Sequence, residues 1–181
     1  SNSKQYIGDK YLYESFYATK TNNRKIKFID RFGKKYSTQK YNINGKDYDS
    51  LNNILSNINL ETLYKNPMYD LFHGDLQFDN IIYNSIEGGD IYYDLAKLYG
   101  GCIIPYNLAK DDNYISYIEG IAVINYDYKV PSNLLKFKKK YEKWIVKNGY
   151  DLDRIKMITA IIFLNMSPLH SENFSKMLWF K

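Results

Sequence analysis

Residues 73–83 read His73-Gly74-Asp75-Leu76-Gln77-Phe78-Asp79-Asn80-Ile81-Ile82-Tyr83. The polar part has the form H-G-D-x-x-x-x-N, and the apolar Ile81-Ile82-Tyr83 behind it has the composition of a short strand. Transfer of a phosphoryl group from a nucleotide needs an aspartate beside the acceptor hydroxyl, to orient it and accept its proton. It also needs an amide oxygen a few residues on, to hold a metal ion against the phosphate charge. A tight loop between two short strands would present both groups on one surface, with Gly74 letting the backbone turn. On this logic Asp75 is the catalytic base or orienting group, Asn80 a metal ligand, and His73 a loop-stabilising residue.

Upstream of the motif, Tyr11, Tyr13, Phe16, Tyr17, Ile26, Phe28 and Ile29 recur at three- and four-residue spacings, which predicts helix over residues 8–32, closed at Gly33. Polar residues 40–48 centre on the turn signal Asn44-Gly45. Ser50 predicts a cap for a short helix with Leu51, Ile54, Leu55 and Ile58 on one face, and Pro67 breaks the chain before Leu71. Downstream, Asp90 to Leu98 reads as helix, with Asp90 near its positive end and Gly100-Gly101 just past its close. β-Branched and aromatic residues on both sides of Glu119-Gly120 predict a β-hairpin between Tyr114 and Val130. Pro131-Ser132 opens a basic amphipathic helix through Lys147, and Asp151 an apolar one through Met166, ended by Pro168. A last short helix carries Phe174, Met177, Leu178 and Phe180. The expected fold class is α+β, mostly helical, as a single domain over residues 1–181.

Composition narrows the function classes. With 45% hydrophobic residues, 20 Tyr and 9 Phe, the 181-residue chain is no disordered polymer. A single cysteine, Cys102, excludes an internal disulfide framework and a multi-thiolate zinc site. No apolar run is long enough for a transmembrane helix and no basic-then-apolar leader opens the chain, so a cytoplasmic setting is expected. The net charge is +5, yet only Arg24, Arg31 and Arg154 are arginine, the residue on which nucleic-acid readers lean. The lysine excess reads as a compositional bias spread along the chain, and Lys136 to Lys140 as a solvated helix face. Neither a nucleic-acid partner nor a membrane is expected. A basic nucleic-acid-binding domain stays as a third possibility that rests on charge alone.

Residues 71–100 resemble the aminoglycoside phosphotransferase and choline kinase group, the small-molecule branch of the protein-kinase-like fold. His73-Gly74-Asp75 with Asn80 is similar to the group's catalytic loop. Gly89-Asp90-Ile91-Tyr92-Tyr93-Asp94-Leu95-Ala96 is similar to its G-D-x-x-x-D-L-A helix start. The tail Thr159 to His170 resembles bacterial members tied to surface-polysaccharide genes. The resemblance implies a C-terminal lobe with short catalytic-loop strands, ATP and Mg2+ as cofactors, and a choline-like, aminoglycoside or sugar hydroxyl as acceptor. The acceptor would sit between the motif loop and the C-terminal helices, where aromatic and acidic groups could hold a cation.

Two departures qualify what the resemblance implies. The group carries a second metal-binding aspartate on a strand one hairpin after the catalytic loop. Here only Ser85-Ile86-Glu87-Gly88-Gly89 separates Asn84 from Asp90, too short for that return strand. A missing loop near residues 85–87 is therefore expected, with Glu87 and Asp90 as the nearest acidic substitutes. Asp90 and Asp94 have two readings, as charges at the positive end of a helix or as acidic site groups. Upstream of Asp75 there is no phosphate-covering loop or strand lysine, Phe32-Gly33-Lys34-Lys35 having a single glycine. The expectation is the C-terminal lobe alone, with a nucleotide-binding lobe elsewhere in the same polypeptide. Ser1-Asn2-Ser3, without a methionine, fits a piece of something longer. The alternative is a non-catalytic, kinase-like interaction module that has lost nucleotide binding.

Overall fold

The structure, a computed structural model, describes residues 17–59, 63, 69–72, 76, 86–105, 111 and 115–181, with only the backbone for 69–72 and 86–89. The chain divides into two compact units, one built from residues 1–19, 60–106 and 130–162, the other from 20–59, 107–129 and 163–181. Each is α+β or helical in its own right, and together the elements make the expected α+β class.

In the first unit, strand β3 (Tyr69–Phe72) pairs antiparallel with β4 (Ile86–Asp90), in the register Tyr69 to Asp90 and Phe72 to Ile86. Asp90 ends β4 and caps helix α4 (Ile91–Ile103), its carboxylate accepting the Tyr92 N–H at 3.1 Å. The helix does not stop at Gly100-Gly101 as expected. Neither glycine has a positive φ, and both are buried along with Cys102. Burial of that last turn outweighs the ~1 kcal/mol helix penalty of each glycine, and the end falls just before Pro105. Helix α5 (Ser132–Lys147) lays Tyr141 and Ile145 against α4, with the Tyr141 hydroxyl donating to the Leu95 carbonyl at 3.1 Å. It closes at Asn148-Gly149, as predicted, with Gly149 at φ 78°. Helix α6 (Leu152–Met166) is capped by Asp151, whose carboxylate accepts the Asp153 and Arg154 N–H groups. Its buried Thr159 donates to the Ala96 carbonyl at 3.0 Å.

In the second unit, α1 (Thr19–Phe32) and the one-turn α2 (Lys35–Thr38) bring Phe28 and Tyr36 into an aromatic core with Leu164 and Trp179. Phe28 and Trp179 stack at 3.9 Å between centroids and 10° between planes. The Trp179 indole N–H donates to the Tyr36 carbonyl at 3.1 Å, so the ring is both packed and satisfied. Residues 8–16 of the predicted first helix lie outside the described residues. Residues 40–48, read from sequence as a turn, form a hairpin of β1 (Tyr41–Ile43) and β2 (Lys46–Tyr48). Asn44 and Gly45 take φ 49° and 82°, the left-handed pair a tight hairpin demands. Ser50 caps α3 (Leu51–Asn57) through the Asn53 N–H. The predicted hairpin is β5 (Ile115–Glu119) with β6 (Val123–Tyr128). A parallel pairing of β1 with β6 joins the hairpins into a mixed sheet ordered β2-β1-β6-β5. A 3-10 turn at Ser167–Leu169 follows α6, and α7 (Glu172–Phe180) ends the chain with Phe174, Met177, Leu178 and Trp179 buried.

Candidate functional site

The segment that carries the motif starts and ends at the β3–β4 ladder, since β3 runs up to His73 and β4 begins at Ile86. The interval read as too short for a return strand is itself a strand over Ile86–Asp90, paired to the strand that precedes the motif. His73, Asp75 and Asn80 lie outside the described residues, as does the Ile81-Ile82-Tyr83 run; the side chain of Glu87 does too.

Asp90 and Asp94 are described, and both are buried. The Asp90 carboxylate has no exposed surface and takes a 2.7 Å ion pair from the Arg154 guanidinium, which is 9% exposed. Arg154 also lies over the Tyr92 ring, 3.9 Å from its centroid, and the Tyr92 hydroxyl accepts the Asp151 N–H at 3.0 Å. The buried Tyr17 phenol belongs to the same neighbourhood; burial, then the Asp90 charge, pushes its pKa far above the ordinary tyrosine range. Asp90 thus has one oxygen on a helix N-terminus and the other on a cation. That arrangement locks β4, α4 and α6 together, and it does not suit a carboxylate that must open toward a magnesium ion. Asp94 sits in the first turn of α4, four residues on and among buried neighbours. Tyr92 and Tyr93 are likewise buried, as is Trp179 in the other unit.

A second cluster, absent from the sequence reading, lies in the other unit at the end of β5. Glu119 accepts from Lys35 at 2.7 Å, from the Tyr36 hydroxyl at 2.6 Å and from Lys176 at 3.1 Å. Burial alone would raise the Glu119 carboxyl, but these three donors outweigh it and hold it at about 2. Lys176 is pulled down by burial and pushed up more strongly by its bonds to Glu172, Tyr36 and Glu119, so its ammonium persists above the ordinary lysine range. Its charge also lies over the Phe32, Tyr36 and Tyr117 rings at 5.6–5.8 Å. Burial and the Glu119 bond push the Tyr36 phenol upward, and burial lifts Tyr41 to about 12. An open cleft of about 810 Å³ adjoins this cluster, lined by Arg31, Phe32, Lys35, Glu119, Ile121 and Lys176 among others. None of the shifted groups titrates near neutral pH, so the cluster fixes charges in place and is poorly matched to proton transfer. Its members are 57 to 84 residues from Glu119 in sequence, which is why no local pattern announces it.

No protein-family model, no curated protein and no solved structure matches the chain.

Proposed function

We propose that the chain is the C-terminal, catalytic-loop lobe of an ATP-dependent small-molecule phosphotransferase acting on a hydroxyl of a choline-like, aminoglycoside or sugar acceptor. The observation that carries the reading is the H-G-D-x-x-x-x-N spacing, together with the ladder that closes its two ends. The reading has Asp75 meet the acceptor hydroxyl and Asn80 a metal, from the segment between those two paired strands. Asp90 supports the reading in a different way, as the capped start of the helix that follows, matching the helix-start position that the resemblance gives it. Its ion pair with Arg154 suits that helix-start role better than the role of second metal carboxylate. A nucleotide-binding lobe in the same polypeptide would supply the phosphate-covering loop.

The commitment of Asp90 to Arg154 also favours the second reading, an interaction module without nucleotide binding. Thermal melting of the full-length protein with Mg2+ and ATP separates the two. Under the phosphotransferase reading the melting point rises with nucleotide, and Asp75→Asn abolishes phosphate transfer while leaving that rise intact. Normal transfer by Asp75→Asn would overturn the assignment of Asp75, and no nucleotide response at all would favour the module.

A further inference from the structure

We propose that the outer face of α5 docks on an anionic lipid surface, with the helix lying along the membrane and not crossing it. The proposal stands apart from the phosphotransfer reading. Helix α5 holds six lysines against one glutamate, an excess equal to the +5 of the whole chain, so the remaining residues are formally neutral. The positive charge is therefore concentrated, where composition alone reads as a bias spread along the chain. Lys138 is engaged with Glu142 at 2.6 Å, while Lys136, Lys139, Lys140, Lys143 and Lys147 are all exposed. At 100° per residue these five share one side of the helix, away from buried Tyr141 and Ile145.

Apolar groups rim that basic face on both edges. Phe137 and Trp144 stand on one edge, Leu135 and Val146 on the other, and their exposures run from 39% for Phe137 to 61% for Val146. Phe137 stacks on Tyr141 at 5.8 Å, and Trp144 on Tyr141 and Tyr150 at 6.0 and 5.8 Å, which holds the rings in a fixed row along the helix. Lysines as mobile point charges, with Trp, Phe, Leu and Val beside them, match a layer of anionic headgroups over an acyl boundary. A nucleic acid would leave Leu135 and Val146 without a role, and this face has no arginine for bidentate phosphate contacts. No helix among the described residues is long and apolar enough to cross a membrane, so the contact would be peripheral.

The test is co-sedimentation of the protein with vesicles of phosphatidylcholine alone or mixed with phosphatidylserine, together with tryptophan emission. Binding is expected to the mixed vesicles only, weakening as salt rises. Trp144 emission should shift to the blue on binding, with Trp179, already buried, contributing a constant background. Lys140→Gln and Lys143→Gln should each lower partitioning about fivefold, the factor equivalent to ~1 kcal/mol per lysine. Trp144→Phe should remove the emission shift, and an unchanged circular dichroism spectrum would show these variants folded. Equal binding to neutral vesicles, no vesicle binding, or salt-sensitive capture of single-stranded DNA in place of vesicles would each overturn the proposal.

Discussion

Replacing Arg154 by methionine keeps an unbranched chain of similar reach over the Tyr92 ring and removes the guanidinium that pairs with the Asp90 carboxylate at 2.7 Å. The carboxylate has no exposed surface, so water cannot take over from the guanidinium. Deleting one member of such a pair costs about 3–5 kcal/mol, most of it the burden of an uncompensated buried charge. In a chain of this length each kcal/mol moves the melting point by about 2–4 °C, so Arg154→Met should melt roughly 6–20 °C lower. Asp90→Asn should cost less, ~1–3 kcal/mol. Asparagine caps helices as well as aspartate does, and Arg154 keeps the face of Tyr92 and a sliver of solvent. The double variant strands no charge, and it should be more stable than Arg154→Met alone. Urea unfolding followed by far-UV circular dichroism gives the four corners of the cycle. An Arg154→Met loss below about 1 kcal/mol, or strictly additive single effects, would refute the view that this pair locks β4 and α4 to α6.

Glu119 gives a pH-dependent counterpart in the other unit. Its carboxyl falls from the ordinary 4.5 to about 2 on folding, so the stability it confers is present above pH 4.5 and is lost as pH drops toward 2. The upper bound is ~3.4 kcal/mol, and partial solvent contact reduces it to about 1–3. Acid titration of stability should show this limb in the wild type and a flatter one in Glu119→Gln. Ser50→Ala should cost about 0.5–2 kcal/mol by freeing the Asn53 N–H, read as a lower urea midpoint. Phe28→Ala should cost about 3–5 kcal/mol, because it leaves the stacked face of Trp179 empty, and Trp179 emission should redden.

Much of the local structure was legible because its causes are local. Gly33 and Gly149 end helices, Ser50 begins one, and Asn44-Gly45 turns a hairpin, each through conformations a few residues encode by themselves. Gly100-Gly101 misled for the opposite reason: a stop signal fails when the turn that bears it is buried. The strand at Ile86–Asp90 was hidden too, since Ile-Glu-Gly-Gly-Asp has no strand pattern and is held by its partner β3. Of the candidate site, the H-G-D-x-x-x-x-N motif was read from residue type and spacing. The roles of Asp90 and Asp94 were left open, because a helix-start aspartate looks the same whether it faces solvent, a metal or an arginine.

The sequence by itself determined most of the helices with their caps, the turn at Asn44-Gly45 and the hairpin between Tyr114 and Val130, and it is the source of the roles proposed for Asp75 and Asn80. Tertiary structure decided that Asp90 belongs to Arg154, 64 residues away, and that Glu119 gathers Lys35, Tyr36 and Lys176. It also decided the parallel pairing of β1 with β6. Propensity, capping and turn chemistry act within a few residues and leave a trace in any short window. Ion pairs and strand partners arise only after loops have closed and water has left, and burial then fixes which charges must meet.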